Sequence, residues 1–365
     1  MENWFSSGGI YLLNNIWEKI DSEEDLAKEE LCCLLSLEDP EQLELLYKKA
    51  DKIRKKYVGD EVHLRGLIEF SNYCRNNCHY CGIRRDNKKI KRYRMEIDEI
   101  LNTAILASHI GYKTVVLQSG EDMYYTTDKL VELIKLIKSN ADLAITLSIG
   151  ERSYDDYVRF FEAGADRYLM RFETSNPELY AKLHPDSSFE NRMNILKWLK
   201  QIGYQTGSGI MIGLPGQSIE DLAQDILKFK ELDLDMIGVG PYICHQDTPL
   251  AGNPNGTVEM TLKVIALTRI VTKNTHIPAT TALATLRPAD GREKALQAGA
   301  NVIMPNVSPV RYREFYELYP NKICIRENAK QCNSCIKRRI FSIGRSISKG
   351  YGHSLKKKMD NAIAL

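Results

Sequence analysis

The chain has 365 residues; 43% are hydrophobic, 27% are charged, and 50 Lys and Arg against 48 Asp and Glu leave a formal net charge of +2. That much apolar sequence buries a large core, which excludes a disordered chain, and the balanced charge argues for neither nucleic acid nor a membrane as partner. No apolar run approaches the ~18 residues of a spanning helix, and residues 1–20 lack a basic segment leading into an apolar stretch, so a cytoplasmic protein without a signal peptide is expected.

Residues 1–58 carry helical periodicity. Ala27, Leu31, Leu34 and Leu35 form one stripe, and Leu43, Leu46 and Ile53 another, so an N-terminal helical extension is expected. From residue 59 short β-rich runs alternate with longer helical patterns. The runs cover 62–70, 113–118, 143–149, 167–172, 205–212, 236–241, 276–281 and 301–304. Between them, Ile97, Ile100, Leu101, Ala104 and Ile105 lie on one helical face, as do Leu130, Leu133, Ile134 and Ile137 on a second. Val264, Ala266, Leu267, Ile270 and Val271 make a third, and Gly111, Gly164, Gly203 and Gly299 stand where helix C-caps precede the next strand. The alternation predicts an α/β fold, a parallel (β/α)8 TIM barrel over 59–320. A doubly wound open sheet alternates in the same way, and the count of eight is what favours closure. The tail, 321–365, is basic, with Lys337, Arg338, Arg339 and Lys356 to Lys358, and shows no clear strand.

The nine cysteines are an odd number, which argues against a disulfide framework. Cys32 and Cys33 sit in an amphipathic helix and are expected to pack as small apolar residues. Cys74, Cys78 and Cys81 follow the first strand, where barrels carry their active sites, in the run Asn72-Tyr73-Cys74-Arg75-Asn76-Asn77-Cys78-His79-Tyr80-Cys81-Gly82. The spacing C-x3-C-x2-C offers three thiolates to a soft metal centre. Four would close a zinc site or an ordinary [4Fe-4S] cube, whereas three leave one iron open. A zinc site completed with His79 is the alternative. Cys324, Cys332 and Cys335 form a second triplet, suited to an auxiliary iron–sulfur cluster, a zinc knuckle or no metal at all.

Other candidates fall at strand ends. Gln118-Ser119-Gly120-Glu121-Asp122 closes the second strand. Arg171 and Glu173 are two apart, so on an extended strand both point into the barrel and need partners of opposite charge. Gly207 and Gly209 thin the fifth strand, and Met236 opens the sixth. Cys244 and His245 follow the sixth strand, and Arg84, Arg85, Lys88, Lys89, Lys91, Arg92 and Arg94 form a basic run read as a solvated face or a docking site for an acidic partner.

The cysteine motif, with Tyr80 just before its third cysteine and after the first strand of an α/β barrel, resembles the radical S-adenosylmethionine (radical SAM) superfamily. The resemblance implies a [4Fe-4S] cluster on Cys74, Cys78 and Cys81 whose open iron binds SAM, and reductive cleavage of SAM to a 5′-deoxyadenosyl radical. It places Tyr80, Gln118, Ser119, Glu121, Arg171, Glu173, Arg192 and Met236 around SAM. Glu121 would hold the ammonium, Arg192 the carboxylate, and Met236 an apolar wall beside the adenine. Ser119 departs from the family's usual Gly-Gly-Glu segment.

The second triplet, the stretch from Tyr57 through Asn72, and Gly238-Val239-Gly240-Pro241-Tyr242 leading to Asp247-Thr248-Pro249-Leu250 resemble the HydE maturases of [FeFe]-hydrogenase. These are relatives of methylornithine synthase and biotin synthase. That resemblance implies a cysteine-bound Fe(CO)2(CN) precursor from HydG as substrate and HydF as acceptor. It also implies ferredoxin or flavodoxin as electron donor, and a second [2Fe-2S] or [4Fe-4S] cluster on Cys324, Cys332 and Cys335. Arg65, Thr146, Arg171, Thr280, Thr281 and Tyr316 are the candidates to surround this small anionic complex. A lysine mutase resembling methylornithine synthase is the second reading, disfavoured because Thr280 and Thr281 stand where a diamine would need acids. An iron–sulfur carrier without catalysis is the third.

Overall fold

The computed structural model describes residues 7–356. Of the expected basic tail, Lys357 and Lys358 lie outside the described residues. Three helices come first: α1 (Ser7–Asp21), α2 (Lys28–Leu35) and α3 (Pro40–Val58). One strand run follows, interrupted at Arg65 into β1 (Glu61–Leu64) and β2 (Gly66–Ser71). Helices and strands then alternate: α4 (Ile97–His109), β3 (Thr114–Ser119), α5 (Thr127–Asn140), β4 (Ala144–Ser148), α6 (Tyr154–Glu162), β5 (Arg167–Leu169). Two helices, α7 (Pro177–Leu183) and α8 (Phe189–Ile202), lead to β6 (Gln205–Ile212), then α9 (Ile219–Glu231) and β7 (Met236–Pro241). The last third holds α10 (Val258–Thr272), α11 (Thr281–Leu286), α12 (Gly291–Gln297), β8 (Val302–Ile303) and α13 (Val310–Arg313). Finally come α14 (Ala329–Ser342) and β9 (Ser346–Ile347).

β2 to β7 pair in chain order as a six-stranded parallel sheet. The ring closes through residues 276–279: His276 bridges Met236 of β7, and Pro278 bridges Val302 of β8. β8 pairs in parallel with β1, and Leu67 of β2 bridges Asn306. β2 and β7 are buried at every position, as strands covered on both faces must be. The helices bury one apolar stripe each. On α5, Leu130, Leu133, Ile134 and Ile137 are fully buried. α10 is the exception, buried from Thr261 to Ile270, because α2 and α3 pack over it. Cys33 joins this core and Cys32 packs against it.

Three local expectations are corrected. The 276–281 run forms only isolated bridges, since Pro278 has no N–H to donate and Thr280 already caps α11. β5 ends at Leu169, and Glu173 takes a left-handed φ of +63°, so Arg171 and Glu173 do not share one extended strand. The tail does hold a strand: β9 pairs with β1 through Glu61↔Ser346 and Val62↔Ile347.

Beyond β9 the tail plugs the base of the barrel. Thr114 Oγ1 and Arg167 Nη2 donate to Tyr351 O at 2.7 and 2.9 Å, and Arg65 Nη2 donates to Gly352 O at 3.1 Å. His353 Nδ1 accepts from Gln205 Nε2 at 2.7 Å and from Arg167 Nη2 at 3.1 Å, which requires a neutral ring. Burial, reinforced by Arg167, pushes His353 down to about 4, and burial with Arg65 does the same to His63. Unfolded histidines titrate near 6.5, so the unfolded chain binds protons first as pH falls. Stability is therefore expected to be flat above pH ~6.5 and to decline from there towards pH ~4. His353→Gln, which keeps an acceptor, should flatten the fall of melting temperature between pH 7 and 5; an unchanged slope would contradict the neutral-ring assignment.

Candidate cluster and cofactor site

β2 delivers the chain to the C-terminal rim, and Asn72 fixes the base of the cysteine loop. Its Nδ2 donates to Lys91 O (2.8 Å) and Phe315 O (2.6 Å), and its Oδ1 accepts from the Tyr93 N–H (2.8 Å). Arg92 donates to the carbonyls of Asn72, Ile83, Arg84 and Asn87. Arg94 pairs with Asp122 at 2.7 Å and lies over the rings of Tyr73 and Tyr124. These two arginines of the basic run are thus internal struts, which corrects the solvated-face reading for them. Lys89 pairs with Asp247.

Cys74, Cys78 and Cys81 are free thiols, each half-buried. Burial pushes all three up, Cys78 to about 12, and the neighbouring sulfurs add to the effect on Cys78 and Cys81. Three such thiols deprotonate together only when a metal supplies the compensating charge. Between them, Tyr80 contacts His184 Nε2 at 2.9 Å, and His184 Nδ1 lies 3.0 Å from Tyr180 O. A carbonyl only accepts, so His184 carries its proton on Nδ1 and Tyr80 donates to Nε2. Burial, with Arg192 nearby, pushes His184 down to about 3 and keeps it neutral.

Glu121 joins β3 to the loop. Its N–H points at Cys74 Sγ (3.4 Å); its buried carboxylate pairs with Arg75 and accepts from Asn76 Nδ2 (3.0 Å) and the Glu151 N–H (2.9 Å). Glu151 in turn holds Arg192 at 2.8 Å, and Arg192 Nη1 donates to Arg171 O. Arg171 Nη2 lies 3.0 Å from Glu173 Oε2, in ion-pair range but misaligned for a hydrogen bond. The left-handed turn at Glu173 thus achieves what an extended strand was expected to do. Glu173, pushed up by burial against the pull of Arg171 and Arg192, also acts on the charge of Cys81 and Tyr80. One connected network runs from Cys74 through Glu121, Glu151, Arg192 and Arg171 to Glu173.

The radical SAM superfamily model matches residues 68–229, which span this whole network. Over 337 residues, 92% of this chain and 96% of the relative, the sequence is 53% identical to the [FeFe] hydrogenase maturase subunit HydE of Thermotoga maritima. The chain belongs to the radical SAM superfamily, in its HydE branch. It is also 35% identical to 3-methylornithine synthase of Methanosarcina acetivorans over 80% of this chain and 82% of that one. The crystal structure of methylornithine synthase (PylB) superposes with a TM-score of 0.81 at 30% identity, covering 96% of this chain and all of that one.

Radical SAM membership brings a [4Fe-4S] cluster and SAM, and the residues present fit both. Three thiols share one loop, and Gly120 lets β3 approach it: a Cβ there would meet Tyr73 O at 2.2 Å and Cys74 Cβ at 2.9 Å. Arg171 Nε and Glu173 Oε2, although the two side chains pair, are buried without hydrogen-bond partners, a cationic and an anionic group whose chemistry fits a zwitterion.

Not every expected SAM residue is brought here. Ser119 Oγ turns back to Gly120 O, and Gln118 Nε2 reaches Tyr316 OH at 3.3 Å. The Glu121 carboxylate is occupied by the loop. Met236 sits at the N-terminal end of β7, filling the space beside Gly207 and accepting from Arg65 Nη1 at 2.8 Å. Arg65 is likewise at the base, against the tail. Gly209 packs on Gly238 O, so this glycine of β6 admits the neighbouring strand. Thr146 is buried with its hydroxyl unpartnered; Thr280 caps α11 and Thr281 begins it; Tyr316, in the segment after α13, is buried. Cys244 packs among Leu179, Leu183, Leu214 and Tyr242, and His245 lies against Gly82. Sequence reasoning missed Glu151, Tyr180 and His184, whose only signal is a polar residue or ring near helix starts and ends.

In the second triplet, Cys332 and Cys335 lie one turn apart on α14, and Cys324 Sγ is 3.8 Å from Arg292 Nη2. The Cys332 thiol and Arg292 pull Cys324 down to about 6. Among the described residues no helix is long and apolar enough to cross a membrane.

Gly120→Ala is expected to push the Cys74 backbone off β3. Anaerobically reconstituted protein should then hold less than half the wild-type iron per chain while its far-ultraviolet circular dichroism stays unchanged. Full iron content would show that the close approach is dispensable.

Proposed function

We propose that this chain acts in [FeFe]-hydrogenase maturation on a small, cysteine-bound iron complex carrying CO and cyanide. The observation that carries the reading is the 53% identity to a HydE subunit along almost the full length of both chains. In this reading the complex comes from HydG, the product passes to HydF, and ferredoxin or flavodoxin delivers the electron. Cys74, Cys78 and Cys81 hold the cluster; Arg171, Glu173 and Arg192 face SAM, with Tyr80, Gln118, Ser119 and Glu121 shaping the loop around it. When bound, these cofactors supply a 5′-deoxyadenosyl radical inside the barrel.

The chain's own residues orient the substrate and exclude water. The plug closes the base, and the segment after α13 covers the rim. Thr146, Thr280, Thr281 and Tyr316 offer hydroxyls to a polar ligand, and Arg171 a guanidinium, in a dry interior where such contacts are strong. Cys324, Cys332 and Cys335, beside Arg292 and Arg339, are proposed to hold an auxiliary iron–sulfur cluster that is not required for SAM cleavage.

The likeness to 3-methylornithine synthase, at 35% identity, favours lysine rearrangement as the second reading. Anaerobic turnover separates them. Reconstituted protein with dithionite and SAM should give an adenosylated product from the iron–cysteine complex and none from lysine; methylornithine from lysine would overturn the maturase reading. Cys74→Ala should abolish 5′-deoxyadenosine formation, whereas Cys335→Ala should retain most of it. Equal loss in both would contradict the division between the two cysteine triplets.

A further inference from the structure

A second buried ion pair inside the barrel has no part in the cluster network. Glu69 on β2 is 2% exposed; its Oε1 pairs with Lys322 Nζ and its Oε2 accepts from Asn306 Nδ2 at 2.7 Å. Lys322 Nζ also donates to Tyr316 O at 3.3 Å and lies 5.1 Å from the centre of the Tyr316 ring. The lysine enters from the segment 315–324, which crosses the barrel rim after α13. Left-handed residues flank it on both sides: Asn321 at φ +57° and Cys324 at φ +63°. Asparagine tolerates this region, but cysteine has no such preference, so the surrounding contacts impose the turn.

The segment lies directly on the cysteine loop. The Gly82 N–H donates to Leu318 O at 2.9 Å, and a Cβ at Gly82 would stand 2.1 Å from Glu317 O. Its outer face is different. Pro320 and Asn321 form one wall of a groove of about 490 Å³, opposite Cys244, Asn255 and Leu286. A single strap thus has open solvent-filled space on one side and a buried cation inserted into the barrel on the other.

We propose that the Lys322–Glu69 pair latches this strap shut, that the groove is the way into the barrel, and that Lys322 is a positioning residue keeping the rim closed over bound substrate. Opening moves the Lys322 ammonium into water and leaves Glu69 with Asn306 alone, so the closed state is held by a charge that has nowhere else to go inside the barrel. The backbone turns at Asn321 and Cys324 supply the hinge points. The assignment concerns access to the barrel and stands whichever substrate enters.

Hydrogen exchange on full-length, cluster-loaded protein tests it. Lys322→Met and Glu69→Gln should each speed exchange in 317–324 ten-fold or more, with α5 and α9 unchanged, while Lys322→Arg keeps wild-type protection. Each single variant leaves one buried charge unpaired, so the double variant Glu69→Gln with Lys322→Met is the decisive one. Being neutral, it should recover the wild-type melting temperature and still exchange fast in 317–324. Recovery of protection together with melting temperature, or exchange raised throughout the barrel in every variant, would overturn the latch.

Discussion

The carboxylate of Glu121 is the interaction on which the site depends. It is buried, and a buried carboxylate persists only with several donors around it. Arg75, Asn76 and the Glu151 N–H supply them, and two of those three donors belong to the cysteine loop. The same residue's N–H faces Cys74 Sγ. A loop carrying three cysteines within eight residues has little apolar surface with which to fold itself. Its shape is borrowed from β3, through one side chain and one glycine that removes the clash. Because Glu151 also holds Arg192, the cysteine loop and the Arg171–Glu173 pair are positioned by one set of bonds.

The two ends of the barrel are closed by different physics. At the base, Arg65 and Arg167 meet carbonyls, a thioether, a glutamine and a neutral imidazole of the tail or neighbouring strands. Burial lowers Arg167 to about 10, so these bonds hold expensive cations in place without any carboxylate. At the rim, by contrast, Glu69 and Lys322 compensate each other's charge. A plug built from many neutral acceptors opens only by breaking all of them together, whereas the strap joins a few hydrogen bonds to the rim with one buried ion pair. The chemistry at each end matches a vessel that is permanently closed below and opened above.

The barrel was legible because its signals are local. Eight apolar runs, the helical stripes between them and the cysteine spacing can each be read in a short window, and they correspond to the strand positions around the ring. Where the reading failed, the cause was either a local backbone conformation that apolar patterning does not encode or a partner far away in the sequence. Pro278 reduces a run of strand-like residues to two bridges. Glu173 turns left-handed and from that turn lies 3.0 Å from Arg171. Arg65 looks like any inward-facing strand residue until Gly352, 287 positions later, is seen against it. Lys322 and Glu69 are 253 residues apart, and no periodicity links them. The basic run from Arg84 to Arg94 shows the same thing in reverse: composition reads it as surface, whereas Arg92 is a bracket for four carbonyls.

The balance of charge inside the ring bears on what the barrel can hold. Glu69 and Glu173 each have a cation of their own. Arg65 and Arg167 make no ion pair and each is buried, with Asp166 and Asp235 acting on Arg167 without bonding to it. These two cations lie at the base of the barrel, against the tail. A buried cation without a counter-charge destabilises the empty protein and favours any anion that enters. Opposite Arg167 in the strand register, Thr146 keeps a hydroxyl without a partner, a donor that costs free energy until something accepts from it. A compact anionic acceptor would relieve both. Under the proposed function this favours an anionic iron complex over lysine, whose two ammonium groups and one carboxylate leave it a net cation.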